Sequence, residues 1–200
     1  MEGSGKSTLL SGLASLLRAR GVDVVTTREP GGTALGNRLR AAFVDPETSI
    51  DPIAEALVVN ASRAQHVVEV VEPALAAGRL VLCDRFTAAT LAYQGYGRGV
   101  DLDTLRALAT VATRGRVPDL TLLVDVDVAV SRQRVASRAR ASGVAADRME
   151  REDSAFHERV RTGYLALARG DPRFVTLAGT LAPDDVLRAA SRALEEKLRA

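Results

Sequence analysis

Leu9, Leu10, Leu13, Leu16 and Leu17 recur at helical spacing and stop at Gly21, so the chain is predicted to open with a helix that buries a leucine stripe. Val22 to Thr27 then reads as a short strand, and Arg28-Glu29-Pro30-Gly31-Gly32-Thr33 as a turn leading into a short helix with Leu35, Leu39 and Phe43. Asp51 caps, and Pro52 begins, a long helix through Ala56, Val59, Arg63, Val67 and Val71 that Pro73 kinks or ends before Gly78. Leu80 to Cys83 is a continuous apolar run closed by Asp84-Arg85, the pattern of a parallel strand buried on both faces. A helix over 86–93, a glycine-rich turn over 95–99 and a helix over 101–113 precede a second such strand, 120–126. The remainder reads as a helix from Val128 into an arginine-rich stretch ending near Glu150, a helix over 154–168, a strand near 174–177 and a final helix through Val186, Leu187, Ala190, Leu194 and Leu198.

Strands alternating with helices at these spacings predict an α/β fold with a parallel sheet. No repeat, linker or low-complexity tract divides the chain, so residues 1–200 are expected to form one domain. With 46% hydrophobic and 26% charged residues the composition is that of an ordinary globular protein. Lysine and arginine number 27 against 25 acidic residues, which is no coat for nucleic acid; basic clusters must be local. Cys83 is the single cysteine and sits among apolar neighbours, which excludes an intrachain disulfide, argues for a buried structural thiol and fits a reducing cytoplasm. No apolar run approaches the ~18 residues that span a bilayer, and no export signal is present, so no membrane association is expected.

The densest chemical signal is Gly3-Ser4-Gly5-Lys6-Ser7-Thr8 at the head of the leucine-rich helix, the second half of the phosphate-binding loop G-x-x-x-x-G-K-[ST]. Glycines turn backbone N–H groups toward phosphate oxygens, the helix N-terminus favours anions, Lys6 reaches the β/γ-phosphates of ATP, and Ser7 can ligate Mg²⁺. The first glycine of the pattern, and the strand that normally feeds the loop, would lie upstream of Met1; the expectation is a three-layer α/β/α P-loop fold whose usual first strand is missing from this chain.

Four further segments point to a family: Thr27-Arg28-Glu29-Pro30-Gly31-Gly32-Thr33; Ser62-Arg63-Ala64-Gln65-His66; Asp84-Arg85-Phe86 with Ala92-Tyr93-Gln94-Gly95; and Pro118 to Asp125. In this order and spacing the sequence resembles the bacterial thymidylate kinases over nearly the whole span from Glu2 to about Asp153. The resemblance implies transfer of the γ-phosphoryl group of ATP to dTMP with Mg²⁺ as cofactor, and a homodimer. It places Glu2 near the acceptor sugar and the transferring phosphate, Arg85 on the acceptor phosphate, Arg63 on a thymine carbonyl, Thr90 and Gln94 toward the base, and Tyr93 beneath the sugar. A planar guanidinium suits the role implied for Arg85, while Asp84 is positioned to hold Mg²⁺ through water or to orient Arg85. His66 carries no catalytic expectation.

Arg132, Arg134, Arg138, Arg140 and Arg148 look like the lid, about residues 132–150, that closes over ATP and brings positive charge to the transferring group. Ser4 stands where eukaryotic-type enzymes carry a P-loop arginine, so the lid is expected to supply that charge, with Arg148 and Arg138 or Arg140 as candidates. Two positions depart from the family pattern. Val59 replaces a phenylalanine that commonly stacks on thymine, a contact worth roughly 1–3 kcal/mol, and Thr176-Leu177-Ala178-Gly179 lacks the usual isoleucine-aspartate pair on the adenine side. A kinase for another deoxynucleoside monophosphate, or a nucleotide-binding pseudo-kinase impaired by the incomplete loop, remain open as alternatives.

Overall fold

A computed structural model of the chain describes residues 1–143 and 145–199; Val144, inside the expected lid, and Ala200 lie outside them. The elements run α1 (Lys6–Ala19), β1 (Val24–Arg28), α2 (Ala34–Val44), α3 (Pro52–His66), a π-helical segment (Val67–Val71), α4 (Glu72–Ala76) and β2 (Leu80–Asp84). They continue as α5 (Thr87–Thr90), a second π-helical segment (Leu91–Gly97), α6 (Leu102–Thr113), β3 (Thr121–Asp125), α7 (Val128–Ser142), α8 (Ser154–Gly170), β4 (Phe174–Ala178) and α9 (Pro183–Arg199). Capping follows the sequence: Thr33, Asp51, Asp101 and Asp153 each accept a hydrogen bond from a backbone N–H of the first turn they precede, satisfying a donor the helix cannot.

The strands form two separate two-stranded parallel sheets in place of one continuous sheet. β1 lies beside β2 with Val24 opposite Leu80 and Arg28 opposite Asp84; β3 lies beside β4 with Thr121 opposite Phe174 and Asp125 opposite Ala178. The apolar run of β2, expected to be buried on both faces, is only half-buried, because the described residues pair it along one edge alone. Helix α1 covers both pairs. Its Leu9 and Leu13 join Val124, Leu177, Val186 and Ala190 in one cluster that also takes in Leu82 and Leu122, and its Ala14 and Leu17 pack with Val24 and Leu80 in another. The β2 and β3 ends that carry Asp84 and Asp125 are thereby held with the start of α1.

Three local differences from the sequence reading have physical causes. The helix expected to run to Pro73 widens into a π-helix over 67–71: proline lacks the N–H for an α-helical bond and would clash with the carbonyl of Glu69, and a wider turn relieves both. The glycine-rich turn at 95–99 is instead largely wound into the second π-helical segment, because neighbours press on it closely. A Cβ at Gly95 would lie 2.5 Å from Leu102, and one at Gly97 would lie 2.7 Å from Phe156. The arginine-rich helix also ends earlier than expected, at Gly143, whose φ of +67° is the left-handed conformation of a helix C-cap.

The third cluster surrounds this second π-helical segment. Phe156 and Val160 of α8 are fully buried against Tyr93, with Tyr93 and Phe156 edge-to-face at 6.1 Å. Gly163 lets α8 approach so closely that an added Cβ would stand 2.6 Å from the Tyr96 ring. Gly163→Ala should therefore lower stability by about 1–3 kcal/mol, despite alanine's better helix propensity. Urea unfolding checks this: a midpoint that fails to fall contradicts the tight seating of α8.

Candidate active site

The chain enters α1 through Gly3 at φ +66° and Gly5 at φ +97°, conformations that side chains resist. A Cβ at Gly3 would also sit 2.6 Å from the Ser131 carbonyl oxygen. No side chain caps α1, so its first N–H groups are left without a side-chain partner, with Ser7 and Thr8 exposed beside them. Ser4 is buried, and its hydroxyl has no hydrogen-bond partner.

Lys6 donates from Nζ to the Met1 carbonyl at 2.6 Å and lies 4.0 Å from Glu2 Oε2. The other Glu2 oxygen accepts from Arg85 Nη2. One carboxylate thus joins the cations of two distant stretches. Arg85 holds Glu2 well below the usual carboxylate range against the opposing effect of burial. Burial and the Arg85 charge pull Lys6 below an ordinary lysine, while Glu2 opposes them. Arg85 follows β2 at φ +70°, an unusual conformation for a non-glycine residue that costs of order 1–3 kcal/mol and collects at functional positions. Its guanidinium also donates to Tyr93 Oη at 3.2 Å and Tyr164 Oη at 3.4 Å, and lies 4.8 Å from the Tyr93 ring centroid. Burial raises both phenols, keeping them neutral acceptors.

Glu2 and Arg85 line a cleft whose walls include Phe43, Val59, Arg63, Thr90, Tyr93 and Gln94. Its free volume is about 50 Å³. Arg63 is 2% exposed and held on three sides: Nε donates to Glu29 at 2.7 Å, Nη1 to Asn60 at 2.9 Å and Nη2 to Thr90 Oγ1 at 3.0 Å. The second Glu29 oxygen meets His66 Nδ1 at 2.8 Å, and His66 Nε2 meets Thr27 Oγ1 at 2.7 Å. His66, without expected duty, therefore belongs to the framework behind Arg63. Gln94 donates to Glu55 at 3.0 Å. Val59 is part of the apolar wall with Phe43 and Met149.

A second, open cavity of about 460 Å³ is lined by Ser7, Thr27, Arg28, Asn37 and Asp84, among others. Asp84 Oδ1 is buried there without a hydrogen-bond partner. Among the described residues no group of three or more His, Cys, Asp or Glu side chains forms a metal cage. A hydroxyl and an unsatisfied carboxylate facing one cavity beside a phosphate loop do fit Mg²⁺, which is held by few protein ligands and completed by phosphates and water. Cys83, half-buried and not fully buried, donates its Sγ–H to the Arg85 carbonyl at 3.0 Å, and burial pushes its thiol well up.

The arginines expected in the lid separate. Arg134 bridges the carbonyls of Gly3 and Gly179, at 3.4 and 3.0 Å, tying the phosphate loop to the segment that departs from the family pattern. Arg138 pairs with Glu150 and is near enough to depress Lys6. Arg140 is exposed beside Ser137. Arg148 turns elsewhere: it pairs with Glu55 and donates from Nε to the Phe43 carbonyl at 2.9 Å.

Sequence reasoning passed over Arg40, Glu29 and Glu55. Arg40 lines the cleft and is lowered by burial and by Arg28. Glu29 sits inside the quoted Thr-Arg-Glu-Pro-Gly-Gly run, and Glu55 shares the buried face of α3 with Val59, Ser62 and His66. A carboxylate on an apolar helical stripe was the readable signal for Glu55.

Comparison with known proteins agrees with this geometry. The thymidylate kinase family profile matches residues 1–190. The thymidylate kinase of Desulfovibrio desulfuricans is 51% identical over 100% of this chain and 94% of its own length, and that of Deinococcus radiodurans 49% identical over 94% and 89%. The crystal structure of thymidylate kinase from Ehrlichia chaffeensis superimposes with a TM-score of 0.78 at 29% identity, covering 97% of this chain and 94% of that one. A phosphate loop, a cleft behind Arg85 and full-length likeness converge: the chain belongs to the thymidylate kinase family.

Proposed function

We propose that this chain phosphorylates dTMP from ATP by drawing two nucleotides together at the Lys6–Glu2–Arg85 junction. The observation that carries the reading is the single Glu2 carboxylate shared by Lys6, at the phosphate loop, and Arg85, in the cleft. The loop amides at Gly3, Ser4, Gly5, Ser7 and Thr8, with Lys6, hold the donor phosphates; Arg85, with Arg40 beside it, takes the acceptor phosphate. Phosphates arriving on both sides replace Glu2 as counter-charge, and the freed carboxylate orients the acceptor end of dTMP. In-line transfer needs this alignment and charge neutralisation more than proton shuttling.

Arg63, fixed by Glu29, Asn60 and Thr90, presents its remaining N–H donors to a thymine carbonyl, with Gln94 and Thr90 framing the base and Tyr93 closing on the sugar. Val59 leaves that wall without a stacking ring. Ser7 and Asp84 would hold Mg²⁺, which neutralises phosphate charge when bound. Of the α7-side arginines we assign Arg138 to the transferring group, because it shares α7 with Arg134, which contacts the Gly3 carbonyl of the phosphate loop; Arg140 follows on the same helix. Arg148, also expected there, is read apart from them because its partner Glu55 is buried, whereas Arg138 is exposed beside Glu150.

The fold is read as one three-layer P-loop kinase domain with residues 132–150 as its lid, working in the cytoplasm. Among the described residues no helix is long and apolar enough to cross a membrane, and neither a membrane nor a nucleic acid is needed as partner. A homodimer is supported by exposed apolar side chains along the α3–α4 rod: Ile53, Leu57, Val68 and Leu75, with Leu57 50% exposed.

An ADP-release assay with ATP, Mg²⁺ and dTMP tests the reaction: dTMP should be preferred over dUMP and dGMP, and equal rates on all three would contradict the base pocket. Arg85→Ala should lower kcat/KM for dTMP about a hundredfold or more, the scale of losing a charge clamp on a phosphoryl group, and a change under threefold would remove Arg85 from the site. Leu57→Asp should turn a dimer into a monomer in light scattering; a wild-type monomer contradicts the proposed interface.

A further inference from the structure

Glu55 lies on α3, wholly excluded from solvent, and does not line the cleft. Its two oxygens nevertheless collect three donors from three parts of the chain. Gln94, on the second π-helical segment, donates at 3.0 Å; Arg98, just beyond that segment, reaches both oxygens at 3.0 and 3.3 Å; Arg148 donates from Nη1. Arg98 goes on to Glu152 at 2.6 Å and packs 4.6 Å from the Phe156 ring centroid. Arg148 goes on to the Phe43 carbonyl, packs 5.0 Å from the Phe43 ring centroid, and has its own N–H bonded to the Val44 carbonyl at 3.1 Å. Two arginines and two glutamates thus balance in charge, and the network reaches the walls of the acceptor cleft at Gln94, at Phe43 with Val44, and at Asp147 with Met149 on either side of Arg148, while its arm from Arg98 to Glu152 and Phe156 lies outside that lining.

A buried carboxylate facing two guanidinium groups is costly to disrupt, because removing it leaves desolvated cations without a counter-charge. Its geometry is also specific, since each arginine is fixed at more than one point. None of its hydrogen bonds involves Lys6, Glu2 or Arg85. We infer that Glu55 is a positioning residue for the acceptor nucleotide, and that Arg148 is the fixed anchor through which the segment 147–152 forms the far wall of the cleft. Placing Arg148 here rests on the cleft being the dTMP site, and deepens that reading by separating the residues that shape the acceptor cleft from those that act on phosphate.

Steady-state kinetics on the full chain, varying dTMP and ATP independently, separates positioning from chemistry. Glu55→Gln and Arg148→Met should each raise KM for dTMP about tenfold or more, with kcat and KM for ATP within about twofold, and the double variant should lose no more than the worse single one, because each removes the same joint. If Glu55→Gln does not fold, Arg148→Met decides alone, since it leaves Glu55 paired with Arg98. An unchanged KM for dTMP in a folded variant, an equal rise in KM for ATP, or a hundredfold loss of kcat for Arg148→Met overturns the inference. Arg63→Gln in the same assay distinguishes the two failures. A raised KM for dTMP there leaves the cleft assignment standing while the Glu55 inference falls; an unchanged KM there as well overturns both.

Discussion

Two cations from distant stretches of the chain, Lys6 and Arg85, are held close together, and the carboxylate of Glu2 is what permits it. Burial and then the Arg85 charge lower Lys6, and Arg85 too is drawn out of water. Glu2 stays ionised between them and supplies the counter-charge to both. Burial opposes the Arg85 charge, yet Glu2 and the two tyrosine hydroxyls hold its pKa well above the ordinary value.

Everything around that junction serves to hold it still. Helix α1 ties the two strand pairs together beneath its leucine face, which fixes the ends of β2 and β3 relative to the phosphate loop. The strained backbone at Arg85 is held by its hydrogen bonds to Glu2, Tyr93 and Tyr164. Behind the cleft, two buried carboxylates play parallel parts. Glu29 fixes Arg63, and Glu55 fixes Gln94, Arg98 and Arg148. Both lie in the interior, where a single carboxylate with several donors defines geometry better than any surface pair.

The helices, the strands and most cleft residues were legible because they follow local rules: leucine spacing in α1, Asp and Thr caps, and motifs such as Thr-Arg-Glu-Pro-Gly-Gly that carry their own turn chemistry. What stayed hidden was set by contacts between distant segments. The π-helical winding of 91–97 depends on α6 and α8 pressing against Gly95 and Gly97, and nothing within the segment announces it. The pairing of strands into two sheets is equally non-local, and the strand pattern alone suggested a single one. The sequence offered Arg148 alongside Arg138 or Arg140 for one task; only their partners separate Arg148, drawn inward by Glu55 from 93 residues away, from Arg138, which pairs with Glu150.

The direct measurement of the central claim is a crystal structure with dTMP and ADP bound. The account predicts the Arg85 guanidinium on the acceptor phosphate, Lys6 released from the Met1 carbonyl onto the donor phosphates, and Glu2 no longer bridging the two. Nucleotides seated elsewhere, with the Lys6–Glu2–Arg85 bridge intact, would contradict it.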